Sequence, residues 1–330
     1  MNTMKRTLLI VGCGDIALRA APLLQTHYRL LGLCRTPDKR AFLRLHGITP
    51  VFGDLDAPRT LDKLSGRAHA VLHLAPPPAR GQRDTRTANL LAALTKRPRM
   101  KGAILPQRLI YISTSGVYGD CRGALVDETR SINPQTGRAW RRADAERQVR
   151  SWGLRNGVSV SILRVPGIYA DDRLPLARLR EGVPALLPEE DSYTNHIHAE
   201  DLVHILFAAL RHAKPGRIYH ASDDSDLKMG EYFDLVADRM ALPRPPRIAR
   251  VQAEGRISSG MLSFMRESRR LINTRIKHEL QVNLRYPTVA ECFARSAVVN
   301  AWENSKIRSV SRNADSNCDG THTHLYQSAR

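Results

Sequence analysis

The sequence contains no run of about 18 apolar residues, the length a helix needs to cross a bilayer, so no membrane-spanning helix is expected. Its five cysteines (Cys13, Cys34, Cys121, Cys292 and Cys318) are odd in number and never fall in a C-x-x-C spacing. That argues against a disulfide framework and a thiolate zinc site, and it fits a reducing, cytoplasmic location. Lysine is scarce: there are nine, and arginine supplies the other 42 of the 51 basic residues. Aromatic residues make up only 5% of the chain. None interleaves with the most basic stretch, residues 80–108, where Arg80, Arg83, Arg86, Lys96, Arg97, Arg99, Lys101 and Arg108 face Asp84 alone. Stacking on single-stranded nucleic acid requires aromatic rings between the cations, so specific nucleic-acid binding is not expected. The net charge of +19 still favours nonspecific association with polyanions. A Gly-x-Ser-x-Gly elbow is missing, as is any metal-ligand spacing. The acidic clusters Asp127-Glu128 and Glu189-Glu190-Asp191 read as loop charges.

What is present begins at residues 7–17, TLLIVGCGDIA. A short β-rich run passes into Gly12-Cys13-Gly14-Asp15-Ile16-Ala17, and a helical pattern follows. The basic pair before this run superficially resembles a signal peptide, but the apolar run is short and enters the turn directly, so it reads as a first strand. A Gly-x-Gly-x-x-Ala turn between strand and helix suits a pyrophosphate. Gly12 permits the tight turn, Gly14 lets backbone approach the phosphates, and Ala17 lets helix and strand pack closely. Free N–H groups at the helix start then face the anion. Cys13 reads as a small filler inside this turn.

Strands are expected at 7–11, 28–34, 49–52, 69–74, 108–113 and 159–165, with helical stretches near 15–26, 37–46, 57–64, 84–97 and 137–156. Such alternation implies an α/β chain with a Rossmann-type, doubly wound parallel sheet. Past residue 166 the rhythm loosens, with a helix at 199–212, a strand at 217–221 and a helix at 229–241. Residues 1–165 are expected to bind a dinucleotide. Residues 166–297 are expected to form a smaller cap that partly returns to the core, and residues 298–330 a disordered tail.

By residue 119 several motifs have appeared in order, and the chain resembles the extended short-chain dehydrogenase/reductases, the NAD-dependent epimerase/dehydratase family. The resemblance rests on the glycine turn, Gly53-Asp54-Leu55, HLAP (His73 to Pro76), YISTSGVYGD (Tyr111 to Asp120), ILRVPGIYA (162–170) and NHIHAEDL (195–202). It covers roughly residues 7–297. By resemblance, Gly12, Gly14, Asp15, Ile16 and Ala17 hold the pyrophosphate. Asp54 and Leu55 lie near the adenine, Leu74, Ala75 and Pro76 pass beside the cofactor, and Pro166 belongs to the loop after the sixth strand.

In that family a Tyr-x-x-x-Lys pair on one helix face moves the proton, and a Ser or Thr holds the substrate oxygen. Thr114 takes the second role. The pair is missing: there is no Tyr between Tyr118 and Tyr169, and no Lys between Lys101 and Lys214. Aligning Ala145-Glu146 with the family pattern puts Arg138 at the Tyr position and Arg142 at the Lys position. Arginine is effectively always protonated and cannot serve as acid or base near neutral pH, though Arg142 can still contact ribose or phosphate. Tyr118, Tyr169, His196 and His198 are the remaining candidates for the proton, each with a plain packing role as the alternative.

NAD-preferring sites place an acid about 20 residues past the glycine turn. Here stand Cys34-Arg35-Thr36, with Arg40 a turn onward, and Arg35 offers a bidentate guanidinium to a 2′-phosphate. NADP is therefore favoured over NAD, Arg35 at a strand end with Asp38 on the ribose being the alternative. Three functions stay open. The first is an atypical oxidoreductase or epimerase/dehydratase-like enzyme on a small carbonyl or sugar-like substrate. The second is a dinucleotide-binding regulator or scaffold without turnover, and the third is association with nucleic acid through the basic surface. A homodimer through 137–156 is a candidate assembly, although WRRADAERQVR would need matched acids opposite.

Overall fold

The computed structural model describes residues 5–96 and 104–295. Seven strands form one sheet: β1 (Arg6–Val11), β2 (Tyr28–Cys34), β3 (Thr49–Phe52), β4 (Ala70–His73), β5 (Arg108–Thr114), β6 (Ser159–Val165) and β7 (Ile218–His220). Every pairing is parallel, in the spatial order β3-β2-β1-β4-β5-β6-β7. The order reverses between β1 and β4. At such a switch point the loops leaving neighbouring strands turn opposite ways and open a crevice at the carboxyl edge.

Strand side chains alternate between two covered faces, which is why these segments read as continuous apolar runs. Leu8, Ile10, Leu72, Ile110 and Leu163 point to one side, where α1 (Asp15–Gln25) packs with Ala17, Ala20, Ala21 and Leu24. Leu9, Val11, Val71, Leu109 and Ile162 point to the other, against α3 (Thr85–Thr95) and α4 (Gly137–Asn156). Between these two in the chain, α2 (Lys39–Leu45) buries Leu43. A second helix, α5 (Ala199–His212), covers the α1 side through Leu202, Ile205, Leu206 and Ala209. Burying each such large side chain contributes about 1.5–3 kcal/mol. No helix among the described residues is long and apolar enough to cross a membrane.

A third cluster lies wholly beyond residue 166. Tyr169, Leu186, Ile248, Met265 and Phe293 pack against α6 (Met229–Arg239) through Tyr232, Phe233 and Val236. The loop-rich stretch that precedes it is more ordered than its sequence implies. Gly167–Tyr169 pairs in parallel with His196–His198. Three-residue strands are too short to register as a periodic pattern. The expected helix at 57–64 is a 3-10 helix, Pro58–Leu64, opened by its proline. The tail expected at 298–330 lies outside the described residues, as do Arg97, Arg99 and Lys101.

Candidate functional site

Two groups of the expected residues meet at the carboxyl edge of the sheet. The first lines a cleft of about 360 Å³ at the switch point: Gly12, Cys13, Gly14, Arg35, Asp54 and Leu55, with Leu74, Ala75 and Pro76 opposite. That volume falls in the range typical of small-molecule and cofactor sites.

The two glycines of the turn do different things. Gly12 has φ of +99°, and a Cβ there would sit 2.4 Å from the Ala75 backbone nitrogen, so the turn and the segment leaving β4 touch only because no side chain intervenes. A Cβ on Gly14 would meet nothing within 4 Å. Gly14 is the N-cap of α1 and its first turn has no side-chain cap, so the opening of the helix is uncommitted and faces open space. This is a cradle for an anion, and it fits the pyrophosphate of a dinucleotide. Asp15 turns aside from it: its carboxylate takes Arg19 at 2.8 Å and Arg173 at 2.7 Å, tying α1 to the loop after β6. Burial pushes the Cys13 thiol up to about 12, which leaves it a protonated filler.

Two lining residues escaped the sequence reading. Lys39, rather than Arg40, stands with Arg35 and Thr36 at the β2 end of the cleft. Its charge was visible in the sequence, but the start of α2 decides which cation faces in. Arg86 also lines the cleft, holding Asp56 through two hydrogen bonds of 2.6 and 2.8 Å. The basic run is thereby dispersed. Arg86 serves the cleft, Lys96 pairs with Asp62, and Arg108 donates to the carbonyls of Ala209 and Ala213. Pro166 is half-buried after β6 and is not among the lining residues of this cleft.

The second group gathers where β5 meets α4. Thr114 ends β5 and its hydroxyl accepts the Gly116 N–H at 3.2 Å, capping a 3-10 turn over Ser115–Tyr118. Arg142 reaches back to β5, donating to the Ile112 carbonyl at 2.7 Å and the Tyr111 hydroxyl at 3.1 Å. Arg138, one turn earlier, lies over the Phe264 ring at 3.6 Å, donates to Ser263 at 3.3 Å and faces Glu267 at 3.8 Å. Glu267 comes from a segment more than 120 residues further on, and no motif marks it.

The other proton candidates are committed elsewhere. Tyr118 is 1% exposed. His220 Nδ1–H donates to the Ile272 carbonyl, which leaves Nε2 to accept the Tyr118 hydroxyl at 2.6 Å. Burial pushes the Tyr118 phenol up to about 12, while Arg164 beside it pulls the other way. His196 stacks on Tyr232 at 4.1 Å, and burial pushes it down to about 3. His198 caps α5 by accepting the Glu200 N–H, and burial lowers it too. Tyr169 is buried between His196 and His198, and burial raises its phenol. No group of three or more His, Cys, Asp or Glu among the described residues is arranged to hold a metal.

The same architecture recurs in solved structures. A functionally unknown conserved protein from Silicibacter pomeroyi is 27% identical and aligns at a TM-score of 0.71, covering 88% of this chain and 97% of that one. UDP-glucuronic acid 4-epimerase from Bacillus cereus, in complex with NAD, aligns at 0.67 over 87% and 96% of the two chains. At 16% identity that likeness is one of fold. Protein YeeZ of Escherichia coli is 29% identical over 185 residues, which is 54% of this chain and 59% of the relative. The family model described as the NAD dependent epimerase/dehydratase family matches residues 18–222. With that match over most of the chain and the sheet order above, the chain belongs to the NAD dependent epimerase/dehydratase family.

Proposed function

We propose that this chain is an NADP(H)-binding oxidoreductase or epimerase/dehydratase-like enzyme acting on a small carbonyl or sugar-like substrate. The observation that carries the reading is the cleft at the switch point, where the open Gly14 cradle and the Arg35–Lys39 pair share one cavity. Gly12, Gly14, Ile16 and Ala17 would hold the pyrophosphate, Asp54 and Leu55 the adenosine, and Leu74, Ala75 and Pro76 the nicotinamide half. Arg35 and Lys39 would clasp a 2′-phosphate, which charge-assisted hydrogen bonds favour over a bare hydroxyl. A bound nicotinamide supplies the hydride chemistry. What remains to the protein is to orient the substrate and move a proton. Thr114 presents its hydroxyl at the end of β5, and Arg142 braces the strand beneath it. Residues 1–165 are the dinucleotide half of this scheme and 166–297 the substrate half.

Arginines at both positions of the usual Tyr and Lys favour a second reading, a dinucleotide-binding regulator without turnover. Both readings share the first test, calorimetric titration with NADPH and, separately, NADH. Micromolar NADPH binding with weaker NADH binding is expected. If neither binds at millimolar concentration, both readings fall.

A further inference from the structure

A second cavity, of about 410 Å³, opens at the amino edge of the sheet, the edge opposite the dinucleotide cleft. Arg6, Tyr28, Ala70 and Arg108 are the first residues of β1, β2, β4 and β5. Arg6 lies beside Tyr28 in register, and Ala70 beside Arg108. The end of α5 completes the wall with Arg211 and His212. The volume suits a small molecule.

Three guanidinium groups line this cavity, Arg6, Arg108 and Arg211, and no carboxylate does so among the described lining residues. Elsewhere the fold gives sheltered arginines an acid: Arg164 has Glu146, Arg247 has Asp234 and Arg269 has Glu267. Arg6, Arg108 and Arg211 form no ion pair with any described residue. Charges of one sign gathered in a concave, partly desolvated space focus a field on whatever enters it. Burial pushes the Arg108 guanidinium below its usual range, a cost that an anion beside it relieves.

The donors are also held in place. Arg108 Nη1 donates to the carbonyls of Ala209 at 3.1 Å and Ala213 at 2.6 Å, which caps α5 and fixes the guanidinium plane. The helix end uses Nη1 alone, and no described residue accepts from Nε or Nη2. Arg211 is steadied by His27 Nε2 at 3.2 Å and by the Phe207 ring at 5.4 Å. His69 Nδ1 accepts the Thr7 N–H at 3.0 Å, so the neutral ring carries its proton on Nε2 as a further donor. Planar guanidinium forks held in this way match phosphate oxygens two at a time. They converge on one cavity and do not track along a surface, which favours a small ligand over a nucleic-acid strand.

We propose that this cavity binds the phosphoryl group of a small phosphorylated molecule, inorganic or organic, through Arg6, Arg108 and Arg211 with His69. The site lies apart from the dinucleotide cleft and does not rest on the reading of that cleft.

The test is calorimetric titration of the full chain with inorganic pyrophosphate and, separately, ADP. Millimolar or tighter binding is expected. An organic ligand predicts ADP the tighter of the two, and an inorganic one predicts pyrophosphate. Because the glycine turn can also attract these probes, the variants decide. Arg108→Met is expected to weaken binding about tenfold or more, the range for losing a charge-assisted hydrogen bond. Arg108 also caps α5, so where that variant fails to fold the exposed pair Arg6→Gln/Arg211→Gln carries the test, with the same loss expected. Arg256→Gln, which removes one exposed charge from the cap, should bind like wild type. Neither probe binding at millimolar concentration overturns the proposal. So does binding that survives the Arg6→Gln/Arg211→Gln change, which places the phosphate elsewhere, or an equal loss in Arg256→Gln, which makes the attraction one of net charge. A single-stranded RNA that binds where pyrophosphate and ADP do not, and that the same variants weaken, overturns it in favour of nucleic acid.

Discussion

The guanidinium of Arg164, at the end of β6, meets the carboxylate of Glu146 on α4 through two hydrogen bonds of 2.7 and 3.0 Å, and neither side chain is more than 5% exposed. Arg164 also lies 4.6 Å from the Tyr118 ring, so helix, strand and the turn over Ser115–Tyr118 share one buried polar joint. Removing one partner strands the other in low dielectric. Glu146→Leu is therefore expected to cost about 3–5 kcal/mol in urea unfolding, and the double change Glu146→Leu/Arg164→Met much less. If the double variant is as unstable as the single one, the joint is not an isolated pair.

That joint shows where the sequence was legible and where it was not. The strands, the glycine turn and the order of motifs could be read because each is local: β-rich runs, Gly12, Gly14 and Ala17 lie within a few residues of one another. The charged stretch of α4 holds more than its pattern records. WRRADAERQVR reads as a charged candidate dimer face that would need matched acids opposite, yet its own Asp144 and Glu146 are buried, since Asp144 accepts the Asp84 N–H and the Gln148 amide while Glu146 takes Arg164. Glu267 could not be found at all. Its ion pair with Arg138 is fixed by how a distant segment crosses α4, which no local pattern records.

Burial pushes His73, His196 and His220 down to about 3. All three are neutral in the folded state near pH 7, and in the unfolded chain they titrate at about 6.5. Depressed pKa values of this kind contribute stability that is intact above about 6.5 and is lost as pH falls toward 3. Each adds a slope of about 1.4 kcal/mol per pH unit across that window. Asp223 opposes them, because burial raises it to about 8, so it costs stability between about pH 4 and 8 and recovers it on acidification. Glu128 and Asp191, whose carboxyls burial also raises, act with Asp223, while His198, lowered by burial, acts with the three histidines, so the histidine contribution is read from single variants. His196→Phe, which keeps a ring on Tyr232, should flatten the slope by about 1.4 kcal/mol per unit below pH 6 in urea midpoints. An unchanged slope would mean His196 is charged in the fold.

Gly12 and Gly14 should respond in opposite ways to the same methyl group. Gly12→Ala forces a positive φ on alanine and drives its Cβ into Ala75. A loss of about 2 kcal/mol or more is expected, with the turn displaced. Gly14→Ala meets no atom and should change stability by about 0.5 kcal/mol or less. Its methyl group nevertheless stands in the cradle, so NADPH affinity should fall at least about tenfold, a loss of about 1.4 kcal/mol. A Gly14→Ala protein that melts and binds like wild type would show that the pyrophosphate does not sit at the start of α1.

Cofactor selectivity should follow charge at the end of β2. Arg35 and Lys39 line the cleft together, with Asp54 the one carboxylate among its described lining residues. A hydrogen bond to a charged group is worth about 1.5–3 kcal/mol, so Arg35→Asp should weaken NADPH binding roughly 10- to 100-fold. The new acid supplies the partner a 2′-hydroxyl needs, so NADH binding should hold or improve. Lys39→Gln should weaken NADPH less, because an ammonium acts as a point charge and lacks the planar fork. Both losses should shrink as salt is raised, since the contacts lie at an open cleft mouth where ions screen them. If Arg35→Asp leaves NADPH affinity intact, the phosphate is held elsewhere, and Arg86 across the same cleft becomes the residue to change next.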